Sequence, residues 1–379
     1  MCRIRIGALD PRAGPPPRRR LGRSRCGRRI LRWWCVLTSA PILVTGAAGV
    51  VGTALREQLT LGSYTVLGHR TRLTGIPTIT GDITQSRFGL SADEYARLAD
   101  SIGCVVHAAA NTQLNADPAE LVRQNCLGAR HAIELANDAD VPLIHVSTAF
   151  VAAIDRPENT GIRMHYAESK RAGEQLVTDR ARRWTIVRPS IVIGDSRDGH
   201  IASYQGLYRL AELVRGSQLP FVPCSPDALV DVIPQDVVGA ALAHLARAAL
   251  ATGTTGFDQV WLTAGSAAPS VQEVVRAFAE PRVDSAAAVR IPRCIDRDQY
   301  ERLIRPVFLS ALDDRSARRI DTLFTHVAPY VSIVEPFPGP TAVGDYRPTT
   351  AGPLASLERA LDYWARGTAG HREGTLQHA

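Results

Sequence analysis

A chain of 379 residues, 45% hydrophobic and 21% charged, has the length for two domains or one elaborated α/β domain and the balance of a soluble globular protein. No uninterrupted apolar run approaches the ~18 residues that a spanning helix needs, which excludes a transmembrane segment. The net charge of +7 is concentrated: residues 1–40 hold eleven arginines against Asp10, so the remainder is mildly acidic and offers no basic face to nucleic acid.

Residues 1–39 contain Pro15-Pro16-Pro17 and three of the seven cysteines, without periodicity, and are predicted to be a disordered Arg/Pro-rich tail. On this reading translation begins near Val36 or Leu37. The competing reading is a targeting segment, with Arg28-Arg29 ahead of the apolar run Ile30–Val36 that Arg32 interrupts. From Pro41 short apolar strands alternate with helical stretches, the pattern of a parallel sheet covered on both faces. Ile42–Val44 predicts a strand, Val50–Leu61 a helix, and Tyr64–Leu67 and Thr78–Thr80 two more strands. Ser91–Ile102 reads as a helix and Cys104–His107 as a strand. Pro118 opens a long helix to Asn137, proline being tolerated in a first turn. Pro142–Ser147 is a strand, Ala167–Arg182 a helix and Trp184–Val187 a strand. Beyond Gly194 the rhythm loosens: Tyr204–Val214, Gln235–Ala249 and Val271–Ala279 look helical and Gln259–Leu262 extended. Three further helices are predicted at Asp298–Ser310, Ala311–Val327 and Ala355–Arg366. The order is a cofactor-type domain over 40–250 followed by a cap over 251–379.

Cys104, Cys126, Cys224 and Cys294 are widely spaced and form no C-x-x-C pair. Reduced, buried thiols in a cytoplasmic protein fit this spacing better than a disulfide framework or a metal site.

The chemistry starts from Lys170, the only lysine against 43 arginines. It stands four residues after Tyr166, in Y-A-E-S-K. An ammonium is a compact point charge where guanidinium is a wide planar fork, so this position is one where Arg does not serve. A Tyr and a Lys one helical turn apart suit hydride transfer: the Lys holds the cofactor ribose and its charge favours the phenolate. The bland alternative is an i,i+4 surface pair.

Thr45-Gly46-Ala47-Ala48-Gly49-Val50-Val51-Gly52 follows the first strand. Its glycines permit a tight turn, close approach of a pyrophosphate and close helix packing, with the phosphates at the helix N-terminus. After the second strand, where NAD sites place an acid, the run is Leu67-Gly68-His69-Arg70-Thr71-Arg72. Arg70, with Arg72 beside it, is placed to meet a 2′-phosphate, which points to NADP(H). Asp82, followed by Ile83, is read either as an acceptor for the adenine amino group or as a turn cap. Ala108, Ala109 and Ala110 leave room for the cofactor after the fourth strand. His107 reads as a packed strand-end residue. Ser147-Thr148 ends the fifth strand, with a hydroxyl to share with Tyr166 in hydrogen-bonding a substrate oxygen. Asn125, inside the long helix, is read either as a proton relay or as a cap of local backbone.

T-G-x-x-G-x-x-G at 45–52, G-D-I at 81–83, S-T at 147–148, Y-x-x-x-K at 166–170 and R-P-S at 188–190 occur in order. Together they resemble the extended short-chain dehydrogenase/reductase family over residues 41–250. The resemblance implies an α/β fold, a doubly wound parallel-sheet Rossmann domain with a smaller, mainly helical C-terminal substrate cap. It implies Thr148, Tyr166 and Lys170 as the active triad and sets Pro189 against the nicotinamide. The runs H-V-S-T-A-F-V at 145–151 and V-R-P-S-I-V-I-G-D-S at 187–196 look most like the fatty acyl-CoA reductases and thioester-reductase domains. That branch reduces thioesters with NADPH to an aldehyde or alcohol. Phe150-Val151 stands where sugar epimerases often carry a tyrosine, which counts against a nucleotide-sugar substrate.

The leading expectation is a cytoplasmic NADPH-dependent reductase of an acyl thioester. Its alternatives are a dehydrogenase or epimerase of a secondary alcohol and a non-enzymatic dinucleotide sensor. A small-molecule acyl partner is expected and nucleic acid is not. Trp33-Trp34 offers a peripheral membrane contact, and a homodimer stays open.

Overall fold

The computed structural model describes residues 40–376 apart from 70–72, 160–162, 205, 282–288 and 345–351. The Arg/Pro-rich stretch at 1–39 and the cations Arg70 and Arg72 therefore lie outside the described residues. The first half of the chain runs β1 (Ile42–Thr45), α1 (Val50–Glu57), β2 (Tyr64–Gly68), β3 (Thr78–Thr80), α2 (Ala92–Ser101), β4 (Cys104–His107) and α3 (Pro118–Asp138). β5 (Leu143–Val146), α4 (His165–Arg180), β6 (Trp184–Pro189) and β7 (Ile191–Ile193) follow. The second half holds α5 (Gly206–Arg215), β8 (Phe221–Pro223), β9 (Val232–Pro234), α6 (Gln235–Thr252), β10 (Gln259–Leu262) and α7 (Val271–Ala279). It ends with β11 (Arg293–Ile295), α8 (Arg297–Gln299), α9 (Arg305–Ser310), α10 (Asp314–His326) and α11 (Pro353–Leu376).

Seven strands form one sheet in the order β10-β6-β5-β4-β1-β2-β3, every pairing parallel. The strands are short apolar runs because both faces are covered. Ile42 and Val44 enter one core with Leu55 of α1 and Val238 and Leu242 of α6. Leu43, pointing the other way, meets Ala132 and Ile133 of α3 and Val177 of α4. The strand order reverses between β1 and β4, and a doubly wound sheet opens its ligand crevice at the C-terminal ends of such strands.

Several elements differ from expectation. β10 lies in the segment assigned to the cap, yet it pairs with β6 in the main sheet and covers the backbone edge that β6 would otherwise expose. The boundary at 250 therefore does not follow the architecture. α1 stops at Glu57, four residues early, as Gln58 and Leu59 donate to carbonyls three residues back, the tightening that ends a helix. The helix expected at Asp298–Ser310 is α8, a π-turn at Tyr300–Ile304, and α9. Pro306, in the first turn of α9, lacks the N–H that a continuous helix needs. β7 pairs with β9 and β8 with β11 in two small parallel sheets that the sequence did not reveal.

Among the described residues no helix is long and apolar enough to cross a membrane, and no His/Cys/Asp/Glu group is arranged to hold a metal ion.

Candidate active site

The chain leaves β1 at Thr45 and turns into α1. Gly46 sits at φ +71°, and a Cβ there would lie 2.5 Å from the Ala109 nitrogen. A Cβ at Gly52 would run into the Gly46 carbonyl, so helix and turn approach closely only with glycine present. Gly49 is the N-cap of α1, with no side-chain cap and no acid in the first turn. The opening N–H groups, at Val50, Val51 and Gly52, have no side-chain acceptor, which suits a pyrophosphate. Thr45 Oγ1 shares a hydrogen bond with His107 Nδ1 at 2.8 Å and accepts one from Ala109 N at 3.2 Å. The glycine turn and the small residues Ala108, Ala109 and Ala110 are thereby joined at the switch point.

Asp82 caps its turn: Oδ1 accepts from both the N–H and the hydroxyl of Thr84 at 2.8 Å. Burial raises its carboxyl, but the Thr84 hydrogen bonds and the nearby His69 outweigh it and hold it below the usual carboxylate range. Oδ2 lies 3.9 Å from His69 Nε2. The Ile83 carbonyl is held by His131 Nδ1 at 2.8 Å.

α4 begins at His165, so Tyr166 lies in its first turn and Lys170 one turn on, on the same face. Lys170 is 3% exposed. Burial holds its ammonium down to about 8, against the opposing pull of Glu174 and then Cys126. Burial pushes His107 down to about 3, with the Lys170 charge second, and the same causes hold His145 well below the ordinary imidazole range. These rings stack at 5.5 Å on adjacent strands, both neutral, so His107 is a packing residue. Lys170 thus acts at the ends of β4 and β5, beside the turn to which His107 is bonded. Burial pushes the Tyr166 phenol up to about 12, and no charge among the described residues offsets it. Thr148 is buried at the end of β5, its Oγ1 accepting a long 3.4 Å hydrogen bond from Phe150 N.

Two networks behind these groups were not legible beforehand. Asn125 Oδ1 accepts from Asn111 N at 2.7 Å while its Nδ2 donates to the Asn111 carbonyl and to Ser169 Oγ at 3.1 and 2.8 Å. Ser169 in turn donates to the Tyr166 carbonyl at 2.7 Å, so the loop after β4 is tied to the turn bearing the phenol. Asn125 was singled out; Asn111 and Ser169 carried no signal of their own. One turn past Lys170, Glu174 receives a two-pronged pair from Arg188 at 2.8 and 2.6 Å, both side chains 10% exposed. Arg188 also donates to Gln259 at 2.6 Å and lies 4.7 Å over the Trp261 ring. The R-P-S motif therefore clamps α4 to β6 and β10. Pro189 ends β6, and Ile191 beyond it packs against the cluster that contains Tyr166.

The cap arrives as rings. Phe150 meets Tyr330 and Phe337 edge-on at 5.0 and 5.2 Å, and Tyr330 lies 6.2 Å from Tyr166. Ile333, Met164 and Leu229 complete this apolar cluster. α4 has no side-chain cap of its own; the Tyr330 hydroxyl instead accepts from Ala167 N at 3.3 Å.

The NAD-binding family model described as male sterility protein matches residues 60–242. Glycine betaine reductase ATRR of Emericella nidulans is 30% identical over 188 residues, 45% of this chain, and this chain spans 15% of that protein's length. dTDP-4-dehydrorhamnose reductase of Mycolicibacterium smegmatis is 28% identical over 277 residues, 68% of this chain and 76% of that one. Among solved structures, the terminal R domain of the myxalamid PKS-NRPS biosynthetic pathway superposes with a TM-score of 0.65 at 22% identity, covering 87% of this chain and 91% of that one. With the motifs in place on the expected strands and helices, the chain is similar to the extended short-chain dehydrogenase/reductase family, and its fold is that of the reductase domain above.

Proposed function

We propose that the protein reduces an acyl thioester with NADPH, giving an aldehyde or alcohol, with Thr148, Tyr166 and Lys170 as its working residues. The observation that carries this reading is a phenol held protonated by burial, one helical turn from a buried ammonium and under an apolar aromatic lid. A reductase needs a proton donor at the substrate oxygen, and a phenol near 12 supplies one at neutral pH. The reduced nicotinamide supplies the hydride when bound. Gly46, Gly49 and the opening N–H groups of α1 would hold its pyrophosphate, Ala108, Ala109 and Ala110 would flank it, and Lys170 would hold its ribose. Arg70 is the residue we assign to the 2′-phosphate. Thr148 and Tyr166 hydrogen-bond the carbonyl oxygen as negative charge builds there. Phe150, Tyr330 and Phe337 exclude water and suit an acyl chain better than a sugar.

A second reading, oxidation of a secondary alcohol or turnover of a nucleotide sugar, draws on the likeness to dTDP-4-dehydrorhamnose reductase. Alcohol oxidation asks Tyr166 to act as a base, which its raised pKa opposes. NADPH consumption across a panel of acyl-CoAs, with thiol release followed in parallel, separates the two. Thiol released in step with NADPH supports thioester reduction. Turnover of secondary alcohols or nucleotide sugars without thiol release overturns it.

A further inference from the structure

Phe337 closes the apolar cluster beside Tyr166, and its backbone is fixed on both sides. The ring is 3% exposed and meets Phe150 edge-on, at an interplanar angle of 88°. Arg156 Nη2 donates to the Pro336 carbonyl at 3.3 Å and Nη1 to that of Glu335, while Thr263 Oγ1 donates to the Pro338 carbonyl at 2.5 Å. Arg156 is itself held, its Nε donating to the Ala152 carbonyl at 3.2 Å, and its guanidinium carbon lies 5.3 Å over the Phe337 ring. Ile333, ahead of this stretch, exchanges both backbone hydrogen bonds with Leu229, at 2.6 and 2.9 Å. Beyond it Gly339 lies against Gly265, where a Cβ would come within 3.0 Å of the Gly339 Cα. Pro336 and Pro338 flank the ring, and each locks its own φ. A ring on a backbone pinned before and behind is a wall rather than a flap.

We propose that this wall ends the acyl pocket and restricts the protein to thioesters of short acyl chains, with Phe337 as the residue that sets the limit. The inference rests on the thioester reading given above. In that reading the substrate oxygen lies against Thr148 and Tyr166. The sulfur side of the carbonyl carries a polar handle that stays in water, so the acyl side enters the apolar cluster. Phe150 stands at the entrance, since its N–H is bonded to Thr148 Oγ1. From there the rings touch in series: Tyr166 to Tyr330 at 6.2 Å, Tyr330 to Phe150 at 5.0 Å, Phe150 to Phe337 at 5.2 Å. Aromatic pairs in contact have centroids about 4.5–7 Å apart, so the space these rings can yield is shallow. Small displacements of Phe150 and Tyr330 admit a short acyl group. A longer one has to move Phe337 as well, and with it the ties to Arg156 and Thr263. A misfit of one methylene in an apolar pocket changes kcat/KM by about tenfold or more.

The test is kcat/KM with NADPH for acetyl-, butyryl-, hexanoyl- and octanoyl-CoA, using the wild-type protein, Phe337→Ala, Phe337→Leu and Arg156→Met. The wild-type value is expected to drop about tenfold or more between butyryl- and octanoyl-CoA. Phe337→Ala removes the wall, and the octanoyl-to-butyryl ratio rises about tenfold or more. Phe337→Leu, which keeps an apolar side chain in place, raises the ratio less. Arg156→Met unties the Glu335 and Pro336 carbonyls and shifts the ratio the same way by a smaller factor. Equal use of butyryl- and octanoyl-CoA by the wild-type protein overturns the proposal, and that series needs no variant to fold. An unchanged ratio in a folded Phe337→Ala or Phe337→Leu variant overturns it too. Each readout compares two substrates, so a general loss of activity from destabilisation does not imitate it. Turnover with thiol release but an unshifted ratio removes only the role of Phe337. Failure of the wild-type protein to turn over any member of the series sinks the thioester reading, and this inference with it.

Discussion

On the crevice floor the contacts are mainly hydrogen bonds: Thr45 to His107 and Ala109, Asn125 to Asn111 and Ser169, Glu174 to both prongs of Arg188. In the cap the corresponding contacts are between rings, with Tyr330 and Phe337 against Phe150, and Tyr300 against Phe221 and Phe324. Hydrogen bonds fix positions to a few tenths of an ångström and are costly to leave unmade. Edge-to-face rings tolerate sliding and exchange of volume. The floor is therefore built to hold one cofactor and one reacting geometry, while the cap is the part in which substrate shape can be retuned without disturbing the chemistry.

Four experiments break or sharpen that contrast. Tyr166→Phe removes the proton donor and one of two hydrogen bonds to the substrate oxygen. Turnover is expected to fall about a thousandfold or more, while NADPH affinity, measured by fluorescence titration, stays nearly unchanged. Arg188→Met leaves the Glu174 carboxylate buried without a partner; the expected cost is about 3–5 kcal/mol of stability, read by chemical denaturation. A loss as small as that of a surface ion pair would show that the floor is no more exacting than the cap. The third experiment concerns pH. In the role proposed for it Lys170 works charged, and burial holds it down to about 8, so kcat/KM is expected to fall as pH rises through that value. Glu174 pulls the Lys170 pKa up, so Glu174→Gln moves the falling limb to lower pH. Tyr330→Phe removes a single hydroxyl that serves Ala167 N, at a cost of about 1 kcal/mol in thermal or chemical unfolding.

How far the sequence spoke follows the same division. The strands and helices that carry the site fell where their apolar runs placed them, because a parallel sheet buried on both faces writes itself as short continuous hydrophobic segments between glycine-marked turns. Tyr166 and Lys170 were singled out by one spacing and one rare residue type, and α4 carries them one turn apart. Asn111, Ser169 and Glu174 were not, since each works through a partner remote in sequence and is an ordinary helix or loop residue by itself. Three-residue strands such as β7 and β9 are too short to show a period and exist only through their mutual pairing. The π-turn at Tyr300–Ile304 was hidden because an apolar pattern continues across it.

The Tyr330 hydroxyl that receives Ala167 N comes from 163 residues further along the chain. During synthesis on a ribosome the phenol and ammonium of α4 emerge well before the group that finishes the first turn of their helix. A nascent or prematurely terminated polypeptide lacking it would carry both reactive side chains on a helix whose opening turn frays. Closure of that turn therefore waits on the same segment that brings Tyr330 and Phe337 over Phe150.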